Sequence, residues 1–185
     1  MNFILNKSFQ NLNEISEKNK KKFLNAKPFS HIEFNDFFDD QYLEEILDTF
    51  PHENLKNYDH NFKNETEVKL AINSPEKIPD KINSFIEYLN SYSFLSFLQN
   101  LTGIKEKLIP DPYLFGGGLH LIKRSGFLKI HSDFNIHPQT RLNRRINLLL
   151  YLNKDWKDEW GGQLELWNQQ MKFLKKFLYY NGKYI

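Results

Sequence analysis

The 185 residues carry 25 Lys and Arg against 23 Asp and Glu, a formal charge of +2, and 16% of them are aromatic. One ordinary domain with a buried core fits that length, the aromatic content excludes a disordered chain, and the charge balance argues against a histone-like nucleic-acid binder. The absence of cysteine removes disulfides, thiolate zinc sites and cysteine nucleophiles, and suits a reducing, cytoplasmic setting.

Residues 1–27 are polar and read as an N-terminal helix or extension. The lysines at Lys18 and Lys20 to Lys22 read as a solvated helix face. Phe29 to Phe34 alternate enough to predict a strand. Asp39 or Asp40 then caps a helix whose apolar residues Leu43, Ile46, Leu47 and Phe50 recur at helical spacing, and Pro51 ends it. Residues 52–65 read as a loop and Thr66 to Ile72 as a short strand. A helix after Pro79 presents Ile82, Phe85, Ile86 and Leu89, and another over Phe94 to Leu101 stops at Gly103.

The second half changes character. Tyr113 to Lys123 is strand-like but holds Gly116, Gly117 and Gly118, which suggests a bulge or a close backbone approach. Phe127 to His131, Ile146 to Leu152 and Gln163 to Trp167 are further predicted strands. The longest apolar stretch, Leu148 to Leu152, is far short of the roughly 20 residues of a spanning helix, and Met1 to Phe9 form no export signal. A soluble α+β fold is expected, with a helical layer packed on a curled or jelly-roll sheet.

His131-Ser132-Asp133 is the leading chemical candidate. On a strand, residues two apart share a face, so an imidazole and a carboxylate can converge as two of the three ligands that hold non-haem Fe(II). Such a triplet arises by chance about 0.3 times in a chain of this composition, and His31-Ile32-Glu33 is a comparable one read as structural. The surrounding run lifts the first above chance. Gly126 to Asn135, Arg144 to Asn153 with its YLN-x-D-W ending, and Trp160-Gly161-Gly162-Gln163-Leu164-Glu165-Leu166 together resemble the Fe(II)- and 2-oxoglutarate-dependent dioxygenases. The likeness is to the prolyl 4-hydroxylase-like branch that includes the hypoxia-sensing enzymes. It covers residues 100–168 closely.

The resemblance implies a double-stranded β-helix, at least in part, within one dioxygenase-like domain over 28–185. Residues 28–105 would form the helical front, 106–168 the first half of the β-helix, and 169–185 an atypical basic-aromatic tail. His131 and Asp133 would be metal ligands. Tyr151 would bind the far carboxylate of 2-oxoglutarate, its alternative being a core tyrosine. His120 would stand near the cosubstrate or be structural. Arg144 and Arg145 match no family ligand and read as surface charges, their alternative being contact with an acidic cosubstrate, and His137 reads as a solvated loop histidine, its alternative being a substrate-side residue.

Fe(II) and 2-oxoglutarate are the implied cofactors, with ascorbate as an accessory reductant. The implied substrate is a prolyl residue of a peptide or protein, or a small molecule. No nucleic-acid or membrane partner is expected. The family's second histidine falls roughly 50–70 residues beyond the first pair, with a cosubstrate-anchoring Arg or Lys after it. This chain has no histidine after His137 and no arginine after Arg145. The expectation is therefore a truncated or frame-shifted member, with a catalytically incomplete remnant or interaction module as the alternative function. A cupin-like metal binder is a third reading, and a membrane-touching tail the alternative view of 169–185.

Overall fold

A computed structural model describes residues 3–51 and 57–177. It combines α-helices with antiparallel strands, as an α+β chain should, and divides into two compact units. The first comprises residues 1–50, 79–112 and 150–185; the second comprises 51–78 and 113–149.

Among the described residues the first unit holds four α-helices. Helix α1, Leu12–Asn25, starts where the Asn11 side chain accepts a hydrogen bond from the Glu14 N–H, and its lysines Lys18 and Lys20 to Lys22 are exposed, as the solvated-face reading requires. Helix α2, Asp40–Asp48, is capped by Asp39, whose carboxylate accepts from the Tyr42 N–H at 3.1 Å. It buries Tyr42, Leu43 and Ile46. Helices α3, Asp80–Leu89, and α4, Tyr92–Thr102, follow; Gly103 closes α4 in the left-handed conformation at φ 71°. Helix α1 packs on α4.

Aromatic packing dominates this core. The rings of Phe9, Phe34, Phe38, Phe94 and Phe97 surround that of Phe37 at centroid distances of 4.7–6.3 Å. Such pairs add stabilisation beyond the area they bury. The same unit holds a hairpin of β5, Leu164–Trp167, and β6, Phe173–Phe177. The Trp-Gly-Gly stretch before it is a self-contained turn. The Trp156 indole N–H donates to the Gly161 carbonyl at 2.8 Å, and the two indoles of Trp156 and Trp160 meet edge to face.

The second unit is a small antiparallel sheet with long loops. Strands β1, His60–Lys63, and β2, Glu67–Ile72, form a hairpin. Its turn is held by the Asn64 side-chain oxygen, which accepts from the N–H groups of Thr66 and Glu67. The other edge of β2 is shared by β3, Leu119–Leu121, and β4, Phe127–Leu128. The chain turns out of the sheet between them. Gly126 approaches so closely that a Cβ there would sit 2.7 Å from the Val68 carbonyl oxygen. Gly118, at φ 110°, lies against the Ile72 carbonyl in a space no side chain can share. Gly118 accounts for one of the glycines that interrupt the strand-like run, and Gly126 for the close approach of the turn between β3 and β4.

Several expected elements are corrected. Phe29 to Phe34 form no strand: the His31 ring donates to the Phe29 carbonyl at 2.8 Å, a local bond that takes a group a ladder would need. Residues 60–63, expected as loop, form β1 because β2 offers them a partner edge. The strand expected over Tyr113 to Lys123 shrinks to Leu119–Leu121, and that over Phe127 to His131 to two residues. Ile146 to Leu150 alternate between half-buried and exposed at period two, yet make no ladder among the described residues. The tail instead forms β6; its residues 178–185, like 52–56 of the expected loop, lie outside the described residues. Among the described residues no helix is long and apolar enough to cross a membrane.

Candidate metal centre

The pair His131 and Asp133 lies just beyond β4, in extended chain rather than on a strand. Lys129 still donates its N–H to the Thr66 carbonyl at 2.9 Å, and there the backbone leaves the sheet. The two side chains nonetheless converge: His131 Nε2 and Asp133 Oδ1 are 3.6 Å apart, and the side chains are 48% and 40% exposed. The i, i+2 geometry therefore operates without the ladder that was expected to impose it.

The imidazole is oriented from behind. His131 Nδ1–H donates to the Lys129 carbonyl at 2.8 Å, which places a proton on Nδ1 and turns the Nε2 edge of the ring toward the carboxylate. Metal-binding histidines characteristically make this outer bond. Two donors bound to one ion at about 2.1 Å each would stand roughly 3–3.6 Å apart, so the observed separation and donor chemistry fit a small divalent cation. The fit is incomplete in number: among the described residues no three His, Cys, Asp or Glu side chains gather as a metal-holding group.

Asp133 is held by two residues that sequence reasoning did not place there. Asn147 Nδ2 donates to Asp133 Oδ2 at 2.9 Å, Arg144 Nη2 stands 3.5 Å from the same oxygen, and Arg144 Nη2 donates to Asn147 Oδ1 at 3.1 Å. Arg144 is thus no free surface charge. Its guanidinium lies over the Phe134 ring at 4.7 Å and its side chain is only 20% exposed.

A hairpin loop returns Arg144 to this position. Ile136 and Asn143 form a bridge, and the Arg144 N–H donates to the Asn135 carbonyl at 2.8 Å. His137 organises the turn: its Nδ1 accepts from the N–H groups of Gln139 and Thr140, both at 3.2 Å, and its ring packs 4.3 Å from Phe115. It is half-buried and acts as a turn cap, not as the solvated loop histidine expected. Gly116, at φ 77°, sits where a Cβ would overlap the Phe134 ring, and the same Cβ would lie 3.4 Å from Arg144 Nη1. The signal for Arg144 and Asn147 in the sequence was their spacing after Asp133 within one loop, which periodicity alone cannot read.

His120 is on β3 opposite Ala71, on the sheet face that also carries Glu67 and Lys69. His120 is exposed, yet local desolvation followed by the Lys69 charge lowers its pKa below the usual histidine value. A bond to the Gly117 backbone and the charges of Glu67 and Asp133 oppose that shift. Tyr151 is half-buried and belongs to the helical unit, whereas His120, His131, Asp133, Arg144 and Asn147 all belong to the sheet unit.

No curated protein and no solved structure matches the chain. Residues 117–183, just over a third of the chain, match the family model of the 2OG-Fe(II) oxygenase superfamily. The matched segment contains His120, His131, Asp133 and Tyr151. It supports a 2OG-Fe(II) oxygenase type of function for the part of the molecule that carries the His131–Asp133 pair.

Proposed function

We propose that the chain is a 2-oxoglutarate- and Fe(II)-dependent dioxygenase of the prolyl 4-hydroxylase-like branch, with His131 and Asp133 as metal ligands. The observation that carries this reading is the facing of His131 Nε2 and Asp133 Oδ1 at 3.6 Å within the matched segment. When bound, Fe(II) and 2-oxoglutarate would supply the oxidising chemistry with dioxygen as the oxidant, one oxygen atom entering succinate as 2-oxoglutarate loses carbon dioxide and the other entering the substrate C–H bond as a hydroxyl. The chain's own residues provide the frame. The Lys129 carbonyl orients the His131 ring through Nδ1, so that Nε2 is the atom offered to a metal ion, and Asp133 supplies the negative charge a divalent ion needs. Tyr151 and His120 are the proposed cosubstrate contacts, and a prolyl residue of a peptide is the proposed substrate.

The test is anaerobic loading with Fe(II), addition of oxygen and 2-oxoglutarate, and measurement of succinate with and without proline-containing peptides. Succinate formation that His131→Ala abolishes is expected, and stimulation by a prolyl peptide supports the branch. No succinate from the folded, iron-loaded protein contradicts the enzymatic reading. A second reading, an interaction module without turnover, is favoured by the two-donor set and by the exposed Ile122, Phe127, Leu128 and Ile130 around the sheet. It predicts metal-independent binding of a partner and no succinate.

A further inference from the structure

We propose that Arg144 and Asn147 are positioning residues that lock one oxygen of Asp133, so that the carboxylate can offer only the other one to a metal ion. This inference rests on the metal-binding reading above. The two carboxylate oxygens have separate surroundings. Oδ2 accepts from Asn147 at 2.9 Å and faces the Arg144 guanidinium at 3.5 Å, whereas Oδ1 faces His131 Nε2 at 3.6 Å.

The Asn147 amide can be oriented in only one way that satisfies both neighbours. Its oxygen must accept from Arg144 and its NH2 must donate to Asp133. Arg144 is held in turn by the Phe134 ring beneath it and by the hairpin that carries its backbone. The result is a planar cation, an amide and a carboxylate joined in a closed triangle, each fixing the next. A free carboxylate rotates and can chelate through both oxygens; one locked through Oδ2 presents a single donor at a fixed angle. The arrangement also has a cost, because Arg144 draws off part of the Asp133 charge that would otherwise attract the cation. Its gain is therefore orientation rather than raw attraction.

Two measurements test this. In the metal-free protein, the Asn147 side-chain amide resonance should move on Asp133→Asn and on Arg144→Gln, because both substitutions break the triangle. An amide resonance indifferent to both overturns the proposal directly. Calorimetric Mn(II) titration with electron paramagnetic resonance then tests the consequence. Asn147→Ala should weaken binding about 10–100-fold, the usual effect of removing an outer-shell partner, and broaden the Mn(II) signal. Arg144→Lys, which keeps the charge but not the planar guanidinium stacked on Phe134, should restore less than half of the loss caused by Arg144→Gln. Circular dichroism on each variant separates these effects from misfolding. Wild-type affinity and an unchanged Mn(II) spectrum in both Asn147→Ala and Arg144→Gln overturn the positioning role while leaving the metal site standing. A wild-type protein that binds no Mn(II) overturns the metal-binding reading and the positioning role together.

Discussion

The two units of this chain obey different rules. The helical unit is organised by burial: Phe37, Phe38, Phe94, Ile46 and Ile82 are all at most 2% exposed, and capped helices bring them together. The sheet unit has fewer buried apolar residues and is organised by individual polar bonds. Asp59 accepts from the N–H groups of Asn73 and Ser74 at 2.9 and 2.8 Å and pairs with Lys77 at 2.6 Å. Asn64 and His137 play comparable parts in their own turns, and Asn147 ties Asp133 across its loop. The candidate metal site lies in this second unit, on exposed side chains whose directions are set by hydrogen bonds rather than by packing. Stability and function are therefore separable, and substitutions should affect one far more than the other.

The largest loss of stability is expected in the aromatic core. Phe37→Ala should cost about 3–5 kcal/mol, the usual range for truncating a buried phenylalanine, read as a lowered midpoint in urea unfolding. A loss below 1 kcal/mol would break the distinction between the units. Asp59→Asn comes next, at about 1.5–3 kcal/mol for hydrogen bonds to a charged group. Partial burial tends to raise the Asp59 pKa, but the bonds from Lys77, Ser74 and Asn73 outweigh it and hold the carboxyl well below its ordinary value of 3.8. A carboxyl with a depressed folded-state pKa stabilises above its unfolded value and loses that contribution as pH falls through the folded one. Wild-type stability should accordingly decline below about pH 4 more steeply than that of Asp59→Asn.

Gly116→Ala should cost about 1–2 kcal/mol from the positive φ alone, and more if the Phe134 ring cannot move. Its sharper effect should be local, displacing the ring on which Arg144 rests. Fluorescence and thermal unfolding would show a small global change, while Mn(II) affinity falls. Unchanged affinity would mean that Phe134 does not support the site.

The helical half was largely legible in the sequence because its signals are local. Asp39 and Asp40 announced the start of α2, and Gly103 the end of α4, and both α3 and α4 follow their apolar spacing. The strands were less legible because a strand exists only where another backbone pairs with it. Ile146 to Leu150 have the alternation of a strand and no partner strand among the described residues, whereas His60 to Lys63 have a polar sequence and do have one. In the site, the i, i+2 spacing found His131 and Asp133. Arg144 and Asn147 could not be found that way, since a hairpin loop turned by His137 brings them back. No count along the chain predicts such a return.

The smallest expected stability change accompanies the largest functional one, at His131. Its side chain is 48% exposed, so His131→Ala should alter unfolding by no more than about 0.5 kcal/mol. The decisive measurement is calorimetric titration of wild type and His131→Ala with Mn(II), in the presence and absence of 2-oxoglutarate. The account predicts saturable binding by the wild type that 2-oxoglutarate tightens, and no measurable binding by the equally folded variant. Equal binding by the two proteins would contradict it.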